Sequence, residues 1–205
     1  YKGGLSAIRT DDLAALPLQH LLAKYPQLAE HIDEVMLGCA NQSGEDNRNV
    51  ARMATLLAGL PVSTPAVTLN RLCASGLEAI GQGARAIALG EAELILAGGV
   101  ESMSRAPYVM AKALDGFDRG QQLEDTTLGW RMINPKMREQ YGVESMPQTA
   151  ENLARQFSIS RADQDSFAYR SQKRAAQAIA NGLLDDDIMP AGTLTRDEQP
   201  RHDTR

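Results

Sequence analysis

Apolar positions along this chain recur at two alternating periods. Between Asp11 and Lys24, leucines at 13, 16, 18, 21 and 22 supply one apolar side, which predicts an α-helix. His31 to Cys39 follows as a strand around the apolar run Val35-Met36-Leu37. Asn47 or Asn49 can cap a second helix that passes through Val50, Met53, Ala54 and Leu57 and stops near Gly59. Pro65-Ala66-Val67-Thr68-Leu69 reads as a short buried strand. From Ala74 to Leu89, apolar or small residues at 77, 80, 81, 84 and 87 or 88 keep a helical period that Gly90 ends. Glu93 to Gly98 is the third strand. Helix alternating with strand implies a mainly parallel sheet covered by helices on both faces, an α/β layered domain assigned to residues 1–101.

From Ser102 the pattern changes, and residues 102–205 form a second region, a long excursion from the sheet. Met, Pro, Gly and charged residues crowd together without strand periodicity until a helix near Thr149. Stretches of this length are lids or linkers, and Trp130, Met132, Met137, Tyr141 and Met146 favour an ordered lid. Ser160-x-x-Asp163 resembles a capping box opening a helix to Asn181, which Gly182 can end in a left-handed turn. Its buried side would be Phe167, Ala168, Ser171, Ala175, Ala178 and Ile179.

Composition narrows the class. The 205 residues can bury one sizeable core, and 43% hydrophobic with 23% charged residues is ordinary for a globular protein. A net charge of −5 and scattered histidines exclude a nucleic-acid footprint. No apolar run is long enough to span a bilayer. The N-terminus, Tyr1-Lys2-Gly3-Gly4, carries no basic-then-apolar leader. Cys39 and Cys73 fall at different strand ends, so no disulfide is expected and a reducing cytoplasm is the natural compartment. His20, His31 and His202 are isolated and neither cysteine has a C-x-x-C partner, so no metal site is expected. Gly81-x-Gly83-x-x-Ala86 matches a relaxed dinucleotide pattern but lies inside a helix, so no NAD is expected. Asp185-Asp186-Asp187 is a solvated acidic turn.

The candidate chemistry centres on Cys73, placed between a β-branched run and a small-residue helix. A thiol at a helix N-terminus meets unpaired N–H groups and the positive end of the helix dipole, both of which favour thiolate. Small residues at 74, 75 and 76 leave access to the sulfur. Position alone also allows a small core residue. The pattern Leu69-Asn70-x-x-Cys73-Ala74-Ser75-Gly76-Leu77-x-Ala79-Ile80 resembles the active-site cysteine signature of thiolases. Gly38 to Arg52 is similar to the thiolase segment upstream of the nucleophile, and Ala97 to Tyr108 to the one downstream. Asp125-Thr126-Thr127-Leu128-Gly129-Trp130-Arg131-x-x-Asn134-Pro135 and Tyr141 to Asn152 resemble the 3-oxoadipyl-CoA branch of that family.

That resemblance implies a layered α-β-α thiolase domain over residues 1–101 and an incomplete loop domain over 102–205. It implies an acyltransferase in which Cys73 attacks a 3-oxoacyl-CoA, releases acetyl-CoA and passes the acyl group to a second CoA. For the 3-oxoadipyl branch the products would be succinyl-CoA and acetyl-CoA, with CoA as substrate and no resident cofactor. A general 3-ketoacyl-CoA or acetoacetyl-CoA thiolase is the alternative. Arg201, in Asp197-Glu198-x-x-Arg201-x-x-Thr204, corresponds to an arginine along the adenine end of CoA. Met137 and Met146 correspond to positions lining the pantetheine channel, and Arg131 is a candidate for a substrate carboxylate. The family's Asn-Glu-Ala-Phe, Gly-His-Pro and Cys-x-Gly motifs do not occur here, and Pro190 to Asp197 looks shortened. The second thiolase half is thus absent, and a non-catalytic assembly half is the reading from another class. Family members are dimers or tetramers, so Pro65 to Arg71 and Glu101 to Tyr108 are expected at an interface, with Glu101 a candidate carboxylate for Arg71.

Overall fold

A computed structural model describes residues Gly3–Arg201. Tyr1, Lys2, His202 and Thr204 of the motifs above lie outside the described residues. The chain divides into two compact units, one reaching Leu128 and one starting at Gly129.

In the first unit three strands, β1 (Glu34–Gly38), β2 (Ala66–Leu69) and β3 (Ile95–Gly99), pair in parallel in the order β2-β1-β3. Around them run α1 (Thr10–Lys24), α2 (Val50–Leu57) and α3 (Ser75–Ala88). The pleat of the central strand sorts its side chains to two faces. Val35, Leu37 and Cys39 enter a core shared with Ala14, Ala15 and Leu18 of α1 and Val50, Ala51 and Ala54 of α2. Gly38, on the opposite face, is covered by the start of α3. This is the α/β layering expected from the sequence.

The buried stripe of α1 keeps Leu18 of the expected leucine side, with Leu22 packed against the core, but is otherwise built from smaller residues. Thr10, Asp11, Ala14, Ala15 and Leu18 are buried, and Leu21 is exposed, because contact with α2 selects the i, i+4 row. The N-terminus of α2 is fastened to β2. The Asn49 side chain accepts from the Arg52 N–H (3.1 Å) and the Thr68 hydroxyl (2.8 Å) and donates to the Ala66 carbonyl (2.8 Å). Asn49, not Asn47, is therefore the cap.

Beyond the sheet, two three-residue strands, β4 (Tyr108–Met110) and β5 (Leu123–Asp125), form an antiparallel hairpin that the apolar pattern does not announce. Thr126 belongs with it: its hydroxyl donates to the Pro107 carbonyl (2.7 Å), accepts from the Asn41 side chain (3.3 Å), and is buried. These bonds tie the hairpin to the first unit, so compact structure continues to Leu128 rather than ending at residue 101.

The second unit holds α4 (Pro135–Tyr141), α5 (Met146–Gln156) and α6 (Arg161–Ala180). Each starts at a side-chain cap, from Asn134, Ser145 and Ser160 respectively. Ser160 accepts from the Asp163 N–H (3.1 Å) and donates to its carboxylate (2.6 Å), and Gly182 adopts the expected positive φ of 67°. The expected buried side of α6 is not realised. Phe167, Ala168 and Ser171 are exposed, and only Ala175, Ala178 and Ile179 of the expected set are partly covered. Trp130, Met132, Met137, Tyr141 and Met146 are likewise exposed rather than packed. No helix among the described residues is long and apolar enough to cross a membrane.

Candidate active site

Because the three strands are parallel, the segments that follow Gly38, Leu69 and Gly99 all leave from the same edge of the sheet, where α/β proteins place their ligands. Cys73 lies in the middle one. It is exposed, two residues before α3 begins, with Ala74 as the N-cap residue. The chain reaches it through a tight turn in which Ala74 N–H donates to the Arg71 carbonyl (3.2 Å) and Ser75 N–H to the Leu72 carbonyl (3.0 Å). Leu72 pays for this turn with a left-handed backbone, φ 50°, a conformation that costs a side-chain-bearing residue about 1–2 kcal/mol.

Two side chains hold that conformation. Asn70 accepts from the Leu72 N–H (2.9 Å) and donates to the Ala40 carbonyl (3.1 Å). Buried Ser75 accepts from the Arg71 N–H (2.8 Å) and donates to the Leu72 carbonyl. Glycine makes the approach possible. A Cβ on Gly38 would press on the Ser75 carbonyl carbon and lie 2.5 Å from the Gly76 nitrogen, so the first turn of α3 can rest on β1 only over a bare Cα.

The segment after β1 is fixed by Glu101, whose carboxylate accepts from the Ala40 N–H (2.7 Å) and the Asn41 N–H (3.1 Å). The sequence offered Glu101 as the carboxylate for Arg71, and the structure corrects this, since Glu101 is taken by these two amides. Arg71, in the turn before α3, pairs instead with Glu78 (2.8 Å), in the first turn of that helix. The Gln82 amide, together with Arg71 and Arg85, holds Glu78 below the usual carboxylate range. A second clamp joins Glu45 to Arg105 (2.7 Å) and Arg9, and holds the Glu45 carboxyl at about 2.

Cys39 has the opposite environment from Cys73. It is buried, its thiol donates to Asp46 (3.6 Å), and burial together with the nearby Glu101 and Asp46 charges pushes its pKa up to about 12. Cys39, Asp46 and Glu101 bring three metal-type ligand atoms within 4.8 Å of one another. Each is already engaged: Glu101 by two amides, Asp46 by the thiol and the Gly44 N–H (2.8 Å). The thiol would also have to be deprotonated to bind a cation. This donor set works as an internal hydrogen-bond network.

Among the described residues, neither histidine is at this edge of the sheet. His20 is on α1, and His31 precedes the start of β1 at the opposite edge. Arg131, Met137, Met146 and Arg201 belong to the second unit. Met137 is on α4, Met146 opens α5, and Arg201, beyond α6, donates its backbone N–H to Gln172 (2.9 Å).

The fold and this site define the class of protein as an α/β scaffold that presents an exposed cysteine on a strained turn, at the start of a helix and at the strand-end edge of a parallel sheet. The family profile "Thiolase, N-terminal domain" matches residues 1–204, and the chain belongs to that family. It is 60% identical over 213 residues to the Beta-ketoadipyl-CoA thiolase of Pseudomonas aeruginosa, covering 100% of this chain and 53% of that protein. It is 57% identical over 209 residues to the 3-oxoadipyl-CoA/3-oxo-5,6-dehydrosuberyl-CoA thiolase of Escherichia coli K12, covering 98% of this chain and 52% of that one. The crystal structure of the Bacillus anthracis acetyl-CoA acetyltransferase matches with a TM-score of 0.83 at 32% identity, over 100% of this chain and 52% of that chain. The chain thus spans about half the length of the relatives it matches.

Proposed function

We propose that the full-length protein is an acyl-CoA thiolase that cleaves 3-oxoadipyl-CoA with CoA, and that Cys73 is its nucleophile. The observation that carries this reading is the presentation of Cys73: exposed, at the start of α3, on a turn strained at Leu72. The identities of 60% and 57% to two relatives named for that substrate, against 41% to an acetyl-CoA acetyltransferase of Chromobacterium violaceum, support the acyl specificity.

In this reading the Cys73 thiolate attacks the 3-oxo carbon, and the bond between carbons 2 and 3 breaks. The electron pair stays on carbon 2, which takes a proton and leaves as acetyl-CoA. The remaining four carbons form a succinyl thioester on Cys73. The thiolate of a second CoA attacks that thioester, releasing succinyl-CoA and regenerating the Cys73 thiolate. Splitting the reaction in this way is covalent catalysis. The Cys73 N–H, beside the helix start, is assigned as a donor to the developing oxyanion. The groups that move the protons are assigned to the half of the subunit outside this chain, so the 205-residue chain alone is expected to be inactive.

CoA is a substrate here and no resident cofactor is invoked. Arg201 would meet the adenine end of CoA, Met137 and Met146 the pantetheine arm, and Arg131 the distal carboxylate of the acyl chain. The cytoplasm, where these acyl-CoA substrates are made and used, is the proposed compartment. β2 is an edge strand, which suits pairing with a second copy, and a homodimer or homotetramer is the proposed assembly. The test compares kcat/KM of the full-length protein on 3-oxoadipyl-CoA, acetoacetyl-CoA and a long-chain 3-oxoacyl-CoA. Preference for 3-oxoadipyl-CoA supports the assignment; preference for an uncharged chain contradicts it.

A further inference from the structure

We propose that Asn70 is a positioning residue for the nucleophile, acting by holding Leu72 in the left-handed conformation that presents Cys73. The inference rests on the reading of Cys73 as the nucleophile.

Three observations converge on Asn70. First, its carboxamide oxygen accepts from the Leu72 N–H at 2.9 Å, the Asx-turn contact that fixes the backbone two residues on. Second, the same carboxamide donates to the Ala40 carbonyl at 3.1 Å, so the turn is tied to the segment that follows β1. That anchor is itself rigid, since Glu101 takes the Ala40 and Asn41 N–H groups and Gly38 seats the first turn of α3. Third, the residue so held is a leucine at φ 50°, whose side chain is exposed and makes no packing claim on that backbone. Strain at a non-glycine residue persists only when its surroundings determine it. Ser75 braces the helix side of the turn, while Asn70 links Leu72 to a different strand end.

The carboxamide is uncharged and does no chemistry. Its effect is geometric: without it, Leu72 relaxes toward negative φ and the Cys73 sulfur and N–H lose their shared orientation. Removing an orienting contact should lower kcat while leaving KM nearly unchanged, because substrate still binds elsewhere on the subunit.

The experiment uses the full-length protein in four forms: wild type, Asn70→Ala, Asn70→Ala/Leu72→Gly and Asn70→Ser. Two assays are run: thiolysis of 3-oxoadipyl-CoA, which gives kcat and KM, and Cys73 alkylation by iodoacetamide from about pH 6 to about pH 9. Asn70→Ala is expected to lower kcat by about tenfold or more with KM within about twofold, and to slow Cys73 alkylation. Glycine enters the left-handed region freely, so adding Leu72→Gly should recover about threefold of the loss. Asn70→Ser, whose hydroxyl still accepts from the Leu72 N–H, should fall between wild type and Asn70→Ala. It carries the test if the alanine variant does not fold. Unchanged kcat and alkylation in Asn70→Ala, or no recovery on adding glycine, would overturn the proposal. Failure of the functional reading has a different signature: a Cys73→Ala protein that still cleaves substrate, whatever the alkylation rates show.

Discussion

Replacing Gly38 with alanine tests the link between strand packing and nucleophile placement. The added methyl would meet the Gly76 nitrogen at 2.5 Å and the Ser75 oxygen at 2.6 Å, where ordinary contact begins at 3.4 Å. The Ser75 carbonyl carbon lies closer still, so relief requires a separation of about 1 Å between β1 and the start of α3. Both obstacles are backbone, so no side chain can rotate away. Overpacking of this kind costs about 1–3 kcal/mol, and two rigid backbones place Gly38→Ala near the upper end. The same shift moves Cys73, and a misplacement of about 1 Å at a reacting group costs on the order of a hundredfold in rate. Urea denaturation of the full-length protein reads the first effect, and Cys73 alkylation with thiolysis kinetics reads the second. A Gly38→Ala protein within about 0.5 kcal/mol of wild type, with alkylation within about twofold, would refute the reasoning.

Three further outcomes are expected. The Arg105 bond holds Glu45 at about 2 against an ordinary 4.5; with screening at this partly exposed pair, its ionised form contributes roughly 2 kcal/mol. A depressed carboxylate gives stability that is present above about pH 4.5 and lost as pH falls toward 2. Glu45→Gln should therefore be less stable than wild type at pH 7, and the gap should narrow below about pH 4.5 and close only as pH nears 2; a gap that keeps its pH 7 size at pH 3 in urea titrations contradicts the pairing. Limiting iodoacetamide at pH 8 should modify Cys73 before Cys39, which is buried and pushed up to about 12, and peptide mapping that finds Cys39 labelled first would reverse the site assignment. Glu78→Gln should leave the midpoint of thermal unfolding nearly unchanged, because its partner Arg71 is well exposed; a clear drop in that midpoint would show that this ion pair does more than restrain a surface arginine.

The layered sheet was legible because its strands and helices carry unambiguous periods, and because Asn49, Gly59, Gly90 and Ser160 mark their ends. That Cys73 lies beside a helix start was legible from its place between a strand and a small-residue run. The left-handed turn before it was not, since leucine has no preference for that conformation; the signal lay in Asn70, two residues upstream, where an Asx turn can form. Gly38 could have been read as a close-approach glycine, but only the pairing of β1 with both neighbours shows what approaches it. The β4–β5 hairpin escaped because strands of three residues with half-exposed faces leave no alternating pattern. Arg71 was matched to Glu101 by proximity to a shared interface. The turn that carries Cys73 instead folds Arg71 back beside the first turn of α3, where Glu78 lies, and that turn could not be read from the sequence.

The central claim is that Cys73 carries the acyl group. It is tested most directly by mixing the full-length protein with 3-oxoadipyl-CoA in the absence of free CoA, quenching in acid and mapping the peptides by mass. The account predicts a succinyl thioester on the Cys73 peptide that disappears when CoA is added before the quench. Acetyl-CoA formation with no adduct on Cys73, or an adduct on Cys39, would contradict it.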